Sequence, residues 1–384
     1  MTANRRTLRR RPRKGRGRAS KADVEIEAFG KRRGRGEAVR GAPDFPRILH
    51  PDRMIGALSE ILQGVANPVA NTLADVGTYA GRPLEELFPS PTIAPEMTVT
   101  ARWRLPGVVS EDLVFRSLHV PIERKFRREY LDHYREAHHV YARRIRPAAA
   151  RRRPRLLYLH GYMQPETLIE ELALLTGMAL SLDLEVIQMQ PPHHGRRAAR
   201  TSRFSGEFYW TADLVRSFEA LRQTLLDART LLRCLLVEDA RPVGVTGLSL
   251  GGALTLCLAC LEEDFAFAVP LVAHMDLAAL VADAPVLARM RRDLRSFGWG
   301  NTEFSEFVAS VGWYHLRPKL PAGRIFLIAA SHDRFFRPQI VRRMWARWGK
   351  PAIRWYPTSH MGFITHLPEA LREMREFVDR LRLD

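Results

Sequence analysis

Cysteine is nearly absent from this chain of 384 residues; Cys234, Cys257 and Cys260 are the only three. All fall in apolar stretches that read as helices, and none has partners at zinc-binding spacing. That argues against a disulfide framework and for a reducing compartment. No apolar run follows the basic start within signal-peptide distance, so secretion by that route is not expected. The expected location is cytoplasmic, with peripheral membrane contact as a variant. No internal repeat is visible. Residues 243–261 lack charge, but small residues and a turn interrupt them, and Arg241 and Glu262 bracket them closely. A buried strand and helix explain this run better than a membrane span.

What the chain does have is positive charge, unevenly spread. The formal net charge is +18, and residues 1–40 hold fifteen Lys+Arg against four acidic residues. Residues 1–42 lack apolar periodicity and are expected to form a disordered basic tail. Such a tail serves as an electrostatic arm for an anionic membrane surface or nucleic acid, or only as a solubilising segment. Residues 43–110 read as a helical N-terminal extension. Met54, Ile55, Leu58, Ile61, Leu62 and Val65 recur at helical spacing. They predict an amphipathic helix that packs its apolar face on the main domain, followed by a second segment at 71–88.

From residue 111 to 384 the pattern alternates. Strands are expected at 113–120, 139–146, 155–159, 184–189, 242–246, 266–272, 324–329 and 352–356. Helices are expected at 165–182, 211–236 and 252–262. This predicts an α/β fold with a doubly wound, mostly parallel sheet, whose ligands gather at the carboxyl ends of the strands. Residues 274–318 form a long insertion carrying Met275, Leu277, Leu280, Phe297, Trp299, Phe304, Phe307, Trp313 and Tyr314. It reads as a helical cap over a pocket, or as core packing of helices.

One stretch carries chemistry: Pro242-Val-Gly-Val-Thr-Gly-Leu-Ser-Leu-Gly-Gly-Ala253. A β-branched strand, a G-x-S-x-G turn and an apolar helix follow one another, as in a nucleophile elbow. The motif alone is weak, because a serine in such a turn can simply cap the helix. A serine hydroxyl is a poor nucleophile until a base takes its proton, and the base is usually a histidine oriented by a carboxylate. The sequence supplies both after late strands. Asp333 ends Arg324-Ile-Phe-Leu-Ile-Ala-Ala-Ser-His-Asp333, and His360 follows Ile353-Arg-Trp-Tyr-Pro-Thr-Ser. Asp276 is the rival acid, one strand earlier; Asp333 is preferred for its tighter strand-end placement. His332 reads as a bystander. An oxyanion hole needs two backbone donors. One is expected from Leu250, and the other from the loop His160-Gly161-Tyr162-Met163, with Tyr162 first and Met163 second.

From about residue 112 to 382 the chain resembles the α/β-hydrolase superfamily. The matching pieces are His160-Gly161, Gly247-Leu248-Ser249-Leu250-Gly251-Gly252, Asp333 and His360. Within it, Pro191-Pro-His-His-Gly195-Arg together with VTGLSLGG is similar to family 18 of the α/β-hydrolase-domain proteins, which implies acyl-lipid hydrolysis. PPHHGRR departs from the acid- and glycine-rich turn usual after this strand, and so leaves the substrate open. The resulting expectation is a serine esterase acting on an acyl ester or lipid, with His160, Gly161, Met163, His193 and Trp313 lining the substrate site. No metal or organic cofactor is required; His193 and His194 lack a third ligand. The alternatives are a peptidase or acyltransferase with the same triad, or a non-catalytic binding protein acting through its basic arm.

Overall fold

In the computed structural model, residues 50–62, 73–148, 153–311 and 315–383 are described. The basic segment 1–42 and Trp313 lie outside them. Nine strands form one sheet in the order β1-β2-β3-β5-β4-β6-β7-β8-β9. They are β1 Thr98–Leu105, β2 Val108–Arg116, β3 His139–Pro147, β4 Arg155–Leu159, β5 Glu185–Met189, β6 Val243–Leu248, β7 Ala268–Leu271, β8 Phe326–Ala330 and β9 Ala352–Tyr356. β1, β2 and β3 pair antiparallel, and β3 meets β5 antiparallel. β5, β4, β6, β7, β8 and β9 are parallel throughout. β4, β5 and β8 are buried on both faces, and β8 and residues 156–159 of β4 accordingly read as continuous apolar runs, whereas β5 buries Glu185 and Gln188 among its apolar residues.

The sheet begins at Thr98, fifteen residues before the first strand expected at 113. Thr98–Leu105, inside the stretch read as helical, is an edge strand that is exposed almost throughout. Its burial pattern has no inward face to betray a strand, and its charged residues protect an open edge. Trp103 is the one partly buried residue, and its indole donates to Glu171 at 2.7 Å.

Helix α1 (Pro51–Leu62) corrects a second expectation. Met54 and Leu58 are 57% and 52% exposed, whereas Asp52, Gly56 and Ser59 are buried. The helix therefore docks with Asp52, Gly56 and Ser59 inward, and Ile55 packs partly buried against the core beside them. A Cβ at Gly56 would overlap Pro285, so only glycine lets α1 approach that closely. Two short helices, α2 (Leu73–Gly77) and α3 (Leu84–Leu87), continue the extension.

After α4 (Arg124–His133) and the helix α5 (Thr176–Leu182, entered through a π-helical turn at Glu170–Leu175) comes the long α6 (Leu214–Glu238). Asp213 caps α6, accepting from the Arg216 N–H at 2.9 Å. Charged residues of α6 are buried because the N-terminal segment covers them. Tyr79 donates to Glu219 at 2.8 Å, Arg222 Nε donates to the Leu87 carbonyl at 2.7 Å, and Arg229 donates to the Phe88 carbonyl at 3.0 Å. Tyr79 also packs edge-on against Phe218, 4.9 Å between centroids.

Helix α7 (Leu250–Leu261) follows β6 directly. The insertion between β7 and β8 contains α8 (Leu277–Asp283), α9 (Ala288–Ser296) and α10 (Asn301–Ser310). Met275, Leu280, Trp299 and Phe304 are buried in the main core, and Phe307 packs edge-on against Phe218 of α6 at 5.8 Å. The insertion is therefore fused to the core through its aromatic side chains. The chain closes with α11 (Pro338–Arg347) and α12 (Leu367–Leu381). Among the described residues, no helix is long and apolar enough to cross a membrane.

Candidate active site

The site is assembled at the carboxyl ends of β4, β6, β8 and β9. Ser249 stands between β6 and α7 with φ 59° and ψ −113°, a conformation costing a non-glycine residue roughly 1–3 kcal/mol. Neighbouring packing holds it there. A Cβ on Gly251 would overlap the Leu159 carbonyl oxygen at the end of β4, and one on Gly247 would collide with Gly251. The two glycines of G-x-S-x-G thus let β4, β6 and α7 meet at van der Waals contact. The Ser249 N–H donates to the Leu271 carbonyl of β7 at 3.1 Å, fixing the turn on its other side. Leu250 opens α7, where the first N–H groups have no partner within the helix.

Ser249 Oγ lies 2.9 Å from His360 Nε2, and His360 Nδ1 lies 2.8 Å from Asp333 Oδ2. With Nδ1–H donating to the carboxylate, Nε2 accepts from the serine hydroxyl. The other Asp333 oxygen accepts from the Phe335 and Phe336 N–H groups, both at 2.7 Å. Phe335 stacks on the His360 ring at 4.6 Å and 22°. Burial alone would disfavour the His360 imidazolium. The Asp333 carboxylate outweighs that, and the His360 pKa lies above the ordinary histidine value.

Asp276, the rival acid, is turned away from this relay. It caps α8, accepting from the Ala279 N–H at 2.9 Å. His332 is exposed and contacts Ser331 only loosely, at 3.3 Å.

The loop after β4 lies over the serine. A Cβ on Gly161 would sit in ordinary contact with Ser249 Cβ, 3.8 Å away. Gly161 to Gln164 form a tight turn: Gln164 N donates to Gly161 O at 3.4 Å, and Met163 takes φ 64°. Gln164 Oε1 also accepts from the Gly161 N–H at 3.2 Å. Gln164 is a residue that the sequence reading missed. Tyr162 is half-buried.

His160 and His193, expected to line the substrate site, are core residues instead, and so is His194. His160 is buried, with its Nδ1 against the Gly161 carbonyl at 2.8 Å, and burial pushes its pKa down to about 4. His193 packs edge-on against Tyr134 at 5.1 Å and also faces Phe208, while His194 faces His160 at 5.1 Å and Tyr209. The two rings of the His193-His194 pair point into different aromatic neighbours, and burial holds both neutral. Paired histidines in a loop give no signal that separates such packing from a ligand role.

The other unforeseen residue is Asp52. It is fully buried in the first turn of α1 and accepts from the backbone beside both Asp333 and His360. In the sequence it reads only as an acidic residue near a helix start.

No family model matches the chain. Over 221 residues it is 29% identical to uncharacterized proteins of Mycobacterium tuberculosis from strains CDC 1551 / Oshkosh and H37Rv, covering 56% of this chain. The chain spans about half the length of these curated relatives, 52% of each. Among solved structures it is similar to acetyl xylan esterase 1 from Thermoanaerobacterium sp. JW/SL YS485, with TM-score 0.55 and 17% identity. That match covers 80% of this chain and 99% of the other. It is also similar to an acetyl xylan esterase from Paenibacillus sp. R4, with TM-score 0.53, 14% identity, and coverage of 83% and 98%. The order of the sheet, the elbow between β6 and α7, and the likeness to these two structures together give the chain the α/β-hydrolase fold.

Proposed function

We propose that this protein is a serine esterase in which Ser249, His360 and Asp333 form the catalytic triad. The observation carrying this is the unbroken relay from Ser249 Oγ through His360 to Asp333, at 2.9 and 2.8 Å, with the serine held in a strained conformation. Strain of this kind collects at functional positions. Ser249 Oγ attacks the acyl carbonyl while His360 Nε2 takes its proton, and Asp333 stabilises the imidazolium. The N–H groups of Leu250 and Tyr162 receive the oxyanion. The carbon–oxygen bond to the alcohol then breaks, and His360 returns the proton to the leaving oxygen. Water repeats the sequence on the acyl-enzyme and frees the acid and Ser249.

A small apolar cavity of about 20 Å³ is lined by Leu250, the residue after Ser249, and by Trp210, Ala253, Leu254, Met275 and Leu277. It has room for only one or two water-sized groups. An acyl group seated in it would have to be short. The resemblance to family 18 puts an acyl lipid in the same place, and a chain-length series separates the two. The first test is labelling by a fluorophosphonate probe. Wild type should label at Ser249, and Ser249→Ala and His360→Ala should not. Absence of labelling in folded wild type would sink the proposal. Hydrolysis of p-nitrophenyl acetate against longer esters, anilides and added alcohol acceptors then distinguishes esterase from lipase, peptidase and acyltransferase.

A further inference from the structure

Asp52 sits 282 residues before Arg334 and 308 before His360, yet its carboxylate joins the backbone of both. Oδ2 accepts from the N–H of Arg334 and from the N–H of His360, each at 3.1 Å, and Oδ1 accepts from the N–H of Met361 at 2.9 Å. Arg334 directly follows Asp333. One carboxylate therefore fixes the main chain on both sides of the Asp333–His360 pair. A carboxylate suits the task because its two oxygens offer about four acceptor positions and no competing donor. The side chain is 0% exposed, and α1 turns its apolar Met54 and Leu58 outward to bring Asp52 here. Gly56 against Pro285 lets the helix lie close enough.

We propose that Asp52 is a positioning residue for the Ser249–His360–Asp333 relay, clamping the acid loop and the base loop from α1 so that the imidazole keeps both of its hydrogen bonds. This rests on the esterase reading above. The ring of His360 faces Ser249 from the elbow, Asp333 from the acid loop and the stacked Phe335 and Phe336; Asp52 approaches from α1. Beside Asp52 stands His50, whose Nδ1 lies 3.9 Å from the carboxylate and accepts from the Asp52 N–H at 3.3 Å; His50 in turn feels the charges of Arg53, His332 and Arg334. The Asp52 charge favours the protonated imidazole, so losing it should lower the pKa of His360.

The test compares wild type with Asp52→Asn, which keeps the volume, and Asp52→Ala. The rate of fluorophosphonate labelling is followed against pH, alongside kcat and KM for p-nitrophenyl acetate. The proton on His360 Nδ1 is followed by NMR. Expected for Asp52→Asn are a fall in plateau rate of about tenfold to a hundredfold, carried by kcat rather than KM. The midpoint of the pH profile should move to lower pH, and the downfield His360 proton should shift. Wild-type plateau and midpoint in Asp52→Asn, even with a lowered Tm, would reduce Asp52 to a structural role and overturn the proposal. If Asp52→Ala does not fold, Asp52→Asn and partial rescue by Asp52→Glu still decide it. If wild type itself fails to label, the esterase reading fails, and the NMR shift alone judges the clamp: an unchanged His360 proton in Asp52→Asn overturns it.

Discussion

The proposed nucleophile and its proposed base are held by opposite strategies. Ser249 is fixed by its immediate neighbours in the chain: a strand on one side, a helix on the other, and glycines at 247 and 251 that allow contact with the end of β4. His360 and Asp333 stand on two separate loops. Their separation is set by backbone bonds to Asp52, by the paired Phe335 and Phe336 N–H groups, and by aromatic stacking. The first geometry is encoded in about ten consecutive residues. The second needs three segments scattered over most of the chain. Local encoding makes the elbow tolerant of distant changes, whereas the base and acid depend on how well α1 is docked.

Four experiments break or sharpen that contrast, and the largest effect is expected at the serine. Ser249→Ala should abolish esterase activity, by about 10⁶-fold in kcat, with the melting temperature unchanged or raised as strain is released. Retained activity would move the nucleophile elsewhere. Next comes Asp333→Asn, which leaves the geometry but offers the wrong hydrogen-bond pattern to His360; a loss of about 10⁴-fold in kcat is expected. Asp276→Asn, a comparable helix cap, should leave kcat alone. The reverse ranking would make Asp276 the acid.

Gly251→Ala tests the local half of the contrast. Its Cβ meets the Leu159 carbonyl, so the strand or the helix must shift, at a cost of about 1–3 kcal/mol or more. Both the denaturation midpoint and Ser249 labelling should fall together. An unperturbed Gly251→Ala would mean that the elbow is looser than its packing indicates. The smallest effect is a pH dependence. As the proposed base His360 must be neutral, and the Asp333 carboxylate holds its pKa above the ordinary histidine value despite burial. The labelling rate should therefore rise with pH through a midpoint above that of free histidine. A midpoint below it would mean that burial, not Asp333, dominates the imidazole.

The strand–turn–helix around Ser249 and the late strand ends at Asp333 and His360 could be read from residues because each is local: β-branched runs, glycines at fixed offsets, an acid or a histidine just past a strand. The parallel body of the sheet was readable for the same reason, since strands buried on both faces are written as apolar runs. β1 was not, because an exposed edge strand has no buried face to imprint a pattern on TVTARWRL. Nor could the packing of His160, His193 and His194 be read, since a buried histidine and a ligand histidine look alike in a loop. The apolar spacing in α1 placed Ile55 on the core but misplaced Met54 and Leu58, because three backbone N–H groups from residues about 300 positions away hold Asp52 inward instead. Periodicity thus fixed which segments become strands and helices and where a nucleophile could stand. Which acid meets His360, which face of α1 is buried and what ties the two loops together were settled by long-range hydrogen bonds, whose partners no local pattern can name.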